Sequence, residues 1–370
     1  MSRHAWRLSA LVVGALALAI ALPGTARLHA RATLSQPVAT GLFNPRGLNF
    51  GPDGALYVAE AGSGGGHLTD PNYLASDGMQ KYYGTTGAVT KIVLGGAPSQ
   101  SQVVTGLPSA APLNGIGATG PHDVDFQGLG NGFVTIGLGA DPAKRVGDAL
   151  GNLAHLIRFQ PNGKWKYEAD LAAFEALANP DGNAVDSNPY GLLALPGRQI
   201  FTDAGGNTLN AVAANGAISN LAFFPNHSPA PPFQAVPTCV ALGPDGALYV
   251  GQLTGGPFPG GAATVFRVPA NGGTPEPFAT GFTKIIDIAF APDGTLYVLE
   301  IAARAGGPPA TPADAGALIH VSADGKTQTP IDVTGLVTPG GIAVGRDGSI
   351  YVTNFSIQAG GLGTVVKVNP

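Results

Sequence analysis

The residues of this 370-residue sequence that could do chemistry flank short apolar segments. One group precedes or begins these segments, namely Asn44 and Arg46 (NPRG), His122 and Asp123 (PHD), and Asn188 and Tyr190 (NPYG). A second group ends them, namely Glu60, Asp203, Gln252, Glu300 and Asn354, with Asn207 four residues after Asp203. Acids and amides of this kind supply oxygen ligands for a hard cation, and they also suit a hydroxylated or heteroaromatic ligand. The alternative is that the asparagines and Asp203 only cap backbone groups of loops.

His122 is the candidate catalytic residue, as a general acid or base. Adjacent residues of a strand point to opposite sides, so His122 and Asp123 do not form a dyad by sequence alone. The sequence contains no serine elbow, no HExxH motif, no paired-cysteine motif and no Gly-rich phosphate loop. No metal ligands are therefore assigned, and a calcium-like divalent cation is the cofactor that the donor types would suit.

Charge argues against nucleic acid as a partner. The sequence has 19 Lys and Arg against 23 Asp and Glu. Residues 1–32 hold four of the arginines and no acid, so without them 15 basic residues face 23 acidic ones, a formal charge of −8. Nucleic-acid binding needs clustered Lys and Arg, and no such cluster is present.

An internal repeat organises the chain. The segment GPDGALYV occurs at 51–58 and again at 243–250, with variants at 291–298 and 345–352. The aspartates of these copies are Asp53, Asp245, Asp293 and Asp347. The last two intervals are 48 and 54 residues, and the first is 192, four times 48, which predicts missing copies between 53 and 245. Two weaker copies lie there, at 122–138 and 190–206, making six.

Each copy predicts four strands, the first two joined by a tight Asp-Gly-type turn. The sixth copy ends after its third strand, whereas QPVATGL (36–42) near the N-terminus matches EPFATGF (276–282), a fourth strand. An N-terminal strand therefore completes the last blade and removes free sheet edges. The sequence predicts an all-β fold, a six-bladed β-propeller with four antiparallel strands per blade, in one domain over residues 33–370.

The longest insertions favour one face of this ring. The first strands should line the central channel, and the segments 61–86, 107–120, 139–153 and 176–188 fall on the face where those strands begin, over blades 1 to 3. Because loops on a rigid scaffold carry function, we expect a ligand at this face. The alternative is that the loops merely cap the channel. Tyr73, Tyr82, Tyr83 and Phe258 in the loops either stack on a ligand or pack the loops onto the blades.

The N-terminal segment predicts export. Arg3 and Arg7 precede an apolar run at 8–22, and small residues at 30–32 offer a cleavage site, so residues 1–32 read as a cleaved secretory signal. We expect a monomer in a periplasmic or extracellular location, with no membrane span after cleavage. The single cysteine, Cys239, lies in an apolar strand and is predicted to be a buried small residue.

The motifs together resemble a known family. NPRGLNFGPDGALYVAEAGSGG, GPHDVDF, NPYGLLAL and PTCVALGPDGALYV, in this order, are similar to those of the ScyD/ScyE family of exported propellers, named after gene clusters for an indolic-phenolic pigment. TDAGGNTLNAVAANG also resembles an NHL repeat, and YVTN (351–354) resembles the YVTN propeller repeat. The resemblance implies a fold and an exported location more than a substrate.

Three functions follow as hypotheses. The first is an exported propeller that binds or helps process a small, aromatic metabolite at the loop face of blades 1 to 3. The second is a metal-dependent lactonase- or lyase-type propeller enzyme using His122. The third is a non-catalytic scaffold that binds a protein or a glycan.

Overall fold

The computed structural model describes residues 33–128, 130–227, 233–307, 310–311 and 313–369. The predicted signal segment, residues 1–32, lies outside the described residues. The described chain forms six antiparallel sheets in sequence order, each with a core of four strands. The predicted six-bladed β-propeller is therefore confirmed.

In blades 2 to 5 the strands follow the chain from the inner to the outer edge, whereas in blade 1 both β5 and β7 pair with β6, and in blade 6 the outer strands come from the N-terminal segment. Blade 1 contains β3 (Pro45–Phe50), β4 (Leu56–Glu60), β5 (Asn72–Leu74), β6 (Gln80–Val93) and β7 (Ser99–Ala111). Blade 2 contains β8 (Pro121–Gln127), β9 (Asn131–Ile136), β10 (His155–Phe159) and β11 (Trp165–Asp170). Blade 3 contains β12 (Pro189–Leu195), β13 (Arg198–Asp203), β14 (Thr208–Ala213) and β15 (Ile218–Phe223). Blade 4 contains β16 (Pro237–Leu242), β17 (Leu248–Gln252), β18 (Ala263–Val268) and β19 (Glu276–Phe282). Blade 5 contains β20 (Ile285–Phe290), β21 (Leu296–Glu300), β22 (Ala317–Val321) and β23 (Gln328–Ile331). Blade 6 contains β24 (Gly341–Val344), β25 (Ile350–Asn354) and β26 (Gly363–Asn369), and β1 (Thr33–Leu34) and β2 (Ala39–Leu42) complete it.

Ring closure occurs in blade 6, as the sequence predicts. Strand β2 pairs with β26 in the register Ala39↔Val365, and the two-residue strand β1 pairs with the end of β26, Thr33↔Asn369. The first strands of successive blades contact one another around the ring, including β24 with β3. The N-terminal strands thus cover the edge that β26 would otherwise expose.

The Asp-Gly turns are held by a contact that recurs between blades. In blade 1, Gly54 adopts a φ of +77°, which a side chain would disfavour. Asp53 accepts hydrogen bonds from the Ala55 amide and the Tyr57 hydroxyl, and it pairs with Lys91 of β6 at 2.6 Å. Blade 4 repeats the arrangement with Asp245, Tyr249 and Arg267.

The core lies between the sheets and follows from strand alternation. Leu56 and Val58 are fully buried, whereas Tyr57 between them points the other way and is partly exposed. Burying such an apolar side chain contributes about 1.5–3 kcal/mol. Cys239 is also buried, as predicted, and burial raises the pKa of its thiol.

The insertions fold more regularly than the loops that the sequence analysis expected. Segment 61–86 contains β5 and the first half of β6, and β7 continues to Ala111. A 3₁₀ turn (Pro142–Lys144) and helix α1 (Gly147–Gly151) follow β9, and helix α2 (Leu171–Ala178) follows β11. In the part of the chain that the structure describes, no helix is long and apolar enough to cross a bilayer.

Candidate functional site at the channel mouth

A bulge near the start of the first strand recurs in blades 1 to 5. The register shifts between Pro45 and Leu48, Pro121 and Asp123, Pro189 and Leu192, Pro237 and Cys239, and Ile285 and Asp287. Bulges redirect side chains relative to a regular strand. The first residue of each bulge is, in blade order, Arg46, His122, Tyr190, Thr238 and Ile286, and Gly47 and Gly191 follow in the bulges of blades 1 and 3. We call Arg46, His122 and Tyr190, with Lys81, the mouth cluster.

His122 is buried and held in one orientation. It is 3% exposed, and its Nδ1 lies 2.9 Å from the carbonyl oxygen of Pro189. Because a carbonyl oxygen only accepts, Nδ1 carries the proton and Nε2 keeps its lone pair. Burial lowers the pKa of His122 to about 3, and the charges of Arg46 and Lys81 add to the fall. The imidazole is therefore neutral at physiological pH.

Two buried cations stand beside this imidazole. Arg46 is 6% exposed and donates to the Ala118 carbonyl oxygen at 2.8 Å, but its Nε has no hydrogen-bond partner among the described residues. Lys81 is 5% exposed and donates to the Thr119 hydroxyl at 2.6 Å. Burial lowers the pKa of Lys81. The carboxyl group of Asp77, which lies 3.8 Å away, opposes the fall of this pKa, and Arg46 adds to it. Leaving a buried donor unpaired costs roughly 1–3 kcal/mol, so the Arg46 Nε is unusual.

Tyr190 is the partly exposed member of the mouth cluster. Its ring centre lies 4.3 Å from that of His122, with the two planes tilted by 31°. Tyr190 also packs against an apolar cluster that includes Leu253, Ile286 and Ile301 from blades 4 and 5. Burial raises the pKa of Tyr190, and Arg46 opposes the rise. The mouth therefore has a cationic side and an apolar side.

The carboxyl groups of Asp123 and Asp287 come from first strands three blades apart in the ring. Asp123 accepts from the Leu192 amide of blade 3 and Asp287 from the Ile342 amide of blade 6, both at 2.8 Å. Burial raises the pKa of each, and the charge of Asp287 raises that of Asp123 further. Asp123 thus links two blades through a backbone amide and makes contacts separate from those of His122.

The glutamates that end second strands are engaged with the segments entering the first strands. Glu60 Oε2 accepts from the Phe43 amide at 2.8 Å, and Glu300 Oε1 accepts from the Thr283 amide at 2.6 Å. Burial raises the pKa of Glu300 to about 7. These carboxyl groups therefore hold the connections between blades.

Of the amides at the same strand position, Asn354 acts in a similar way and Gln252 does not. Asn354 Oδ1 accepts from the Val337 amide at 2.7 Å. Gln252 Nε2 lies 2.7 Å from His227 Nε2, and its buried Oε1 has no partner among the residues described. Asn44 donates from Nδ2 to two carbonyl oxygens of neighbouring loops, at 2.8 and 2.9 Å.

Asp203 and its neighbours form a closed set of caps. Asp203 Oδ1 accepts from the amides of Asn188, Gly205 and Gly206, and Oδ2 accepts from the Ser187 hydroxyl. Burial raises the pKa of Asp203 to about 6. Asn207 Oδ1 accepts from the Val236 amide at 3.0 Å, and Asn188 Oδ1 accepts from the Leu138 amide at 3.2 Å. These oxygens are occupied and do not point to a cation between Asp203 and Asn207.

The structure brings together Arg46, His122 and Tyr190 from the sequence-predicted set and adds two residues. Lys81 lies within an insertion and carried no motif. Asp287 lies in IDIAFA, which aligns with HDVDF, so an alignment of the first strands would have indicated it. Tyr73, by contrast, is buried and donates to the Leu138 carbonyl oxygen at 2.7 Å, so it packs the insertion onto blade 2.

Two surface clefts lie away from the mouth cluster. One of about 420 Å³ is lined by residues around Asn131 and Gln160 near the turns of blade 2. Another of about 260 Å³ lies between Phe43 and the bulged part of β6 and β7. Neither is lined by a titratable side chain, so the chemistry favours the mouth cluster. Among the described residues, no three His, Cys, Asp or Glu side chains are grouped so as to hold a metal ion.

Comparison with known proteins finds only distant structural neighbours. No protein-family model and no curated protein matches the chain. A streptogramin B lyase is similar over 91% of this chain and 97% of its own, with 16% identity and a TM-score of 0.49. Virginiamycin B lyase of Staphylococcus aureus is similar over 92% and 99%, with 15% identity and a TM-score of 0.48. The WD40 propeller domain of Doa1 is similar over 91% and 96%, with 10% identity and a TM-score of 0.49. Likenesses of this size carry no argument about activity.

Proposed function

We propose that this protein is an exported propeller of ScyD/ScyE type that binds a small anionic ligand with an aromatic or apolar body at the channel mouth. The observation that carries the proposal is Arg46, a buried guanidinium whose Nε has no hydrogen-bond partner among the described residues. A carboxylate or phenolate oxygen of a ligand would satisfy that donor through a charge-assisted hydrogen bond.

The other members of the mouth cluster suit the rest of such a ligand. Tyr190 offers a partly exposed ring that contacts His122 and the apolar cluster of Ile286. Aromatic rings pair with one another in offset or tilted arrangements. The unprotonated Nε2 of His122 would accept a hydrogen bond from a ligand hydroxyl. Lys81 adds positive charge beside the anion.

Binding is favoured over catalysis by the state of His122. A general base works best when its pKa is near the operating pH, whereas burial and two cations hold the pKa of His122 at about 3. The lactonase or lyase alternative requires an anionic substrate to offset Arg46 and Lys81 and so to raise that pKa. The scaffold alternative requires a protein or glycan to cover the same face.

The test uses a charged ligand and its neutral analogue. We expect 4-hydroxyphenylacetate to bind the purified protein in calorimetry and 4-hydroxyphenylacetamide to bind at least about tenfold more weakly, because only the former is anionic at pH 7. Arg46→Gln should abolish the difference between the two. Arg198→Gln is the matched control, since Arg198 also donates to a carbonyl oxygen, that of Ala270, but near the β12–β13 turn.

Three results would contradict the proposal. They are equal affinity for the two compounds, binding of neither, and unchanged discrimination by Arg46→Gln. Turnover of lactones or of streptogramin-type substrates that is lost in His122→Ala would favour the enzyme alternative.

A further inference from the structure

The segment between α2 and β12 contains three buried oxygen atoms with no hydrogen-bond partner among the described residues. They are Glu175 Oε1, Asn179 Oδ1 and Asp186 Oδ1. Buried polar atoms are nearly always paired in proteins, and an orphan calls for an explanation such as a bound ion. The three residues lie within twelve consecutive positions, and Asp186 is close enough to Glu175 for its charge to act on it, while the Asp186 carboxyl group also bonds the Ser76 side chain.

Glu175 is the central member of this set. Its residue is 1% exposed, so its carboxyl group is removed from water. The charged groups that act on it are all acids, Asp203, Asp181 and Asp186. Acids gathered in a buried place without a basic partner repel one another unless a proton or a cation intervenes.

The opposite wall of the site is backbone. A Cβ atom placed on Gly206 would lie 2.7 Å from Glu175 Oε2 and 3.5 Å from the Asp186 carbonyl oxygen. The absence of a side chain at Gly206 therefore lets the Glu175 carboxyl group pack directly on this backbone, near the Asp186 carbonyl oxygen. Gly205, the preceding residue, packs equally closely on the backbone of Asp186 and Ser187.

The helix end supplies the third donor. Asn179 ends α2 in the left-handed conformation, and its amide donates to the Glu175 carbonyl oxygen. This backbone bond places Asn179 one turn after Glu175 at the end of the helix. Asn179 Nδ2 donates to the Asn183 carbonyl oxygen at 2.8 Å, which fixes the amide and leaves Oδ1 as the free atom.

The neighbouring acids are already engaged and frame the site. Asp181 Oδ2 accepts from Asn183 and from Asn207, at 2.7 and 2.8 Å. Asp203 is the cap described above. These contacts hold the loop in place without using the three orphan oxygens.

We propose that Glu175, Asn179 and Asp186 form a calcium site, with the Asp186 carbonyl oxygen as a further donor. Calcium takes carboxylate, amide and main-chain oxygens in flexible geometry, and this set contains all three kinds. The bound ion would offset the acidic charge and fasten α2 and the loop to the β13–β14 turn. That loop leads directly to Asn188 and Tyr190, so the ion would also steady one side of the channel mouth.

The experiment measures calcium binding by the full protein after removal of metals with EDTA. We expect saturable Ca²⁺ binding in calorimetry and a Tm rise of a few degrees at saturating Ca²⁺. Mg²⁺ should bind at least about tenfold more weakly, because it demands a tighter octahedral arrangement. Glu175→Gln, which keeps the shape and removes the charge, should lower the Ca²⁺ affinity at least about tenfold.

The same variant separates a calcium ligand from a merely structural glutamate. In EDTA, Glu175→Gln should melt at or above the Tm of the unsubstituted protein, because a buried carboxyl among acids is removed. Asp148→Asn, an exposed acid on α1, is the control for lost charge and should leave Ca²⁺ affinity unchanged. Three results would overturn the proposal: no saturable Ca²⁺ binding, equal Mg²⁺ affinity, or an equal Tm loss in Glu175→Gln with and without Ca²⁺.

Discussion

Glu300 offers a test of whether the acids that end the second strands are caps or ligands. The residue is 7% exposed, and its Oε1 accepts a hydrogen bond from the Thr283 amide at 2.6 Å. Burial raises its pKa from an ordinary value of 4.5 to about 7, and the amide hydrogen bond only partly opposes the rise. Glu300→Gln keeps an oxygen for Thr283 and removes the ionisation.

The sign and size of the effect follow from proton linkage. The folded-state pKa is raised, so protonation of Glu300 stabilises the fold fully below pH 4.5, and this contribution is lost as the pH rises to about 7. Each pH unit in that window is worth about 1.4 kcal/mol for one group. The whole contribution is therefore on the order of 3 kcal/mol.

The assay is urea unfolding of both proteins at steps between pH 4.5 and pH 8. We expect the free energy of unfolding of Glu300→Gln, minus that of the unsubstituted protein, to rise by about 2–3 kcal/mol over the window. Subtraction removes the contributions of other titrating groups, and Glu276→Gln, an exposed glutamate of β19, controls for net charge. A difference that is flat, or that falls with pH, would refute the reasoning about buried caps.

Two further predictions concern the scaffold. Leu248→Asp should lower the free energy of unfolding by about 4 kcal/mol or more, because Leu248 is fully buried between blades 3 and 4. Leu242→Asp is the control at a 43% exposed position of the same blade, and it should lower the free energy of unfolding by under about 1 kcal/mol in the same urea titration. A chain that begins at residue 44 lacks β1 and β2 and exposes the edge of β26; we expect a lower Tm and self-association in light scattering, and an unchanged monomeric chain would contradict the role of closure.

The fold could be predicted because the sequence signals for each blade's first hairpin lie within a few consecutive residues. Asp53 and Tyr57 stand four residues apart on either side of an Asp-Gly turn, and the structure joins them through one hydrogen bond. The alternation of Leu56, Tyr57 and Val58 indicates that the strand face carrying Leu56 and Val58 is buried. Closure was also visible, since the N-terminal strand carries the fourth-strand pattern. The alternation of residues within a strand and the order of the strand patterns along the chain are enough to predict the hairpins, the buried faces and the ring closure.

The site was harder to predict from the sequence, because its contacts join segments that are distant along the chain. The sequence placed Glu60, Glu300 and Asn354 at one face but not the amides of the incoming strands that occupy them. Those partners lie 17 residues earlier in the chain and depend on the path of the connection. Lys81 could not be found at all, since it reaches Thr119 only when the β5–β6 hairpin folds over blade 2.

The side chains in the five bulges show which residue types the propeller scaffold requires at this position and which it does not. At one backbone position the blades carry Arg46, His122, Tyr190, Thr238 and Ile286, and no property is common to the five side chains. Thr238 donates to the Ile285 carbonyl oxygen of the next blade, and Ile286 is packed in the core. The scaffold therefore accepts a hydroxyl or an alkyl group at this position and does not require a guanidinium. The ring therefore does not demand a cation, an imidazole and a phenol on three successive blades, and their presence there supports the proposed ligand at the mouth.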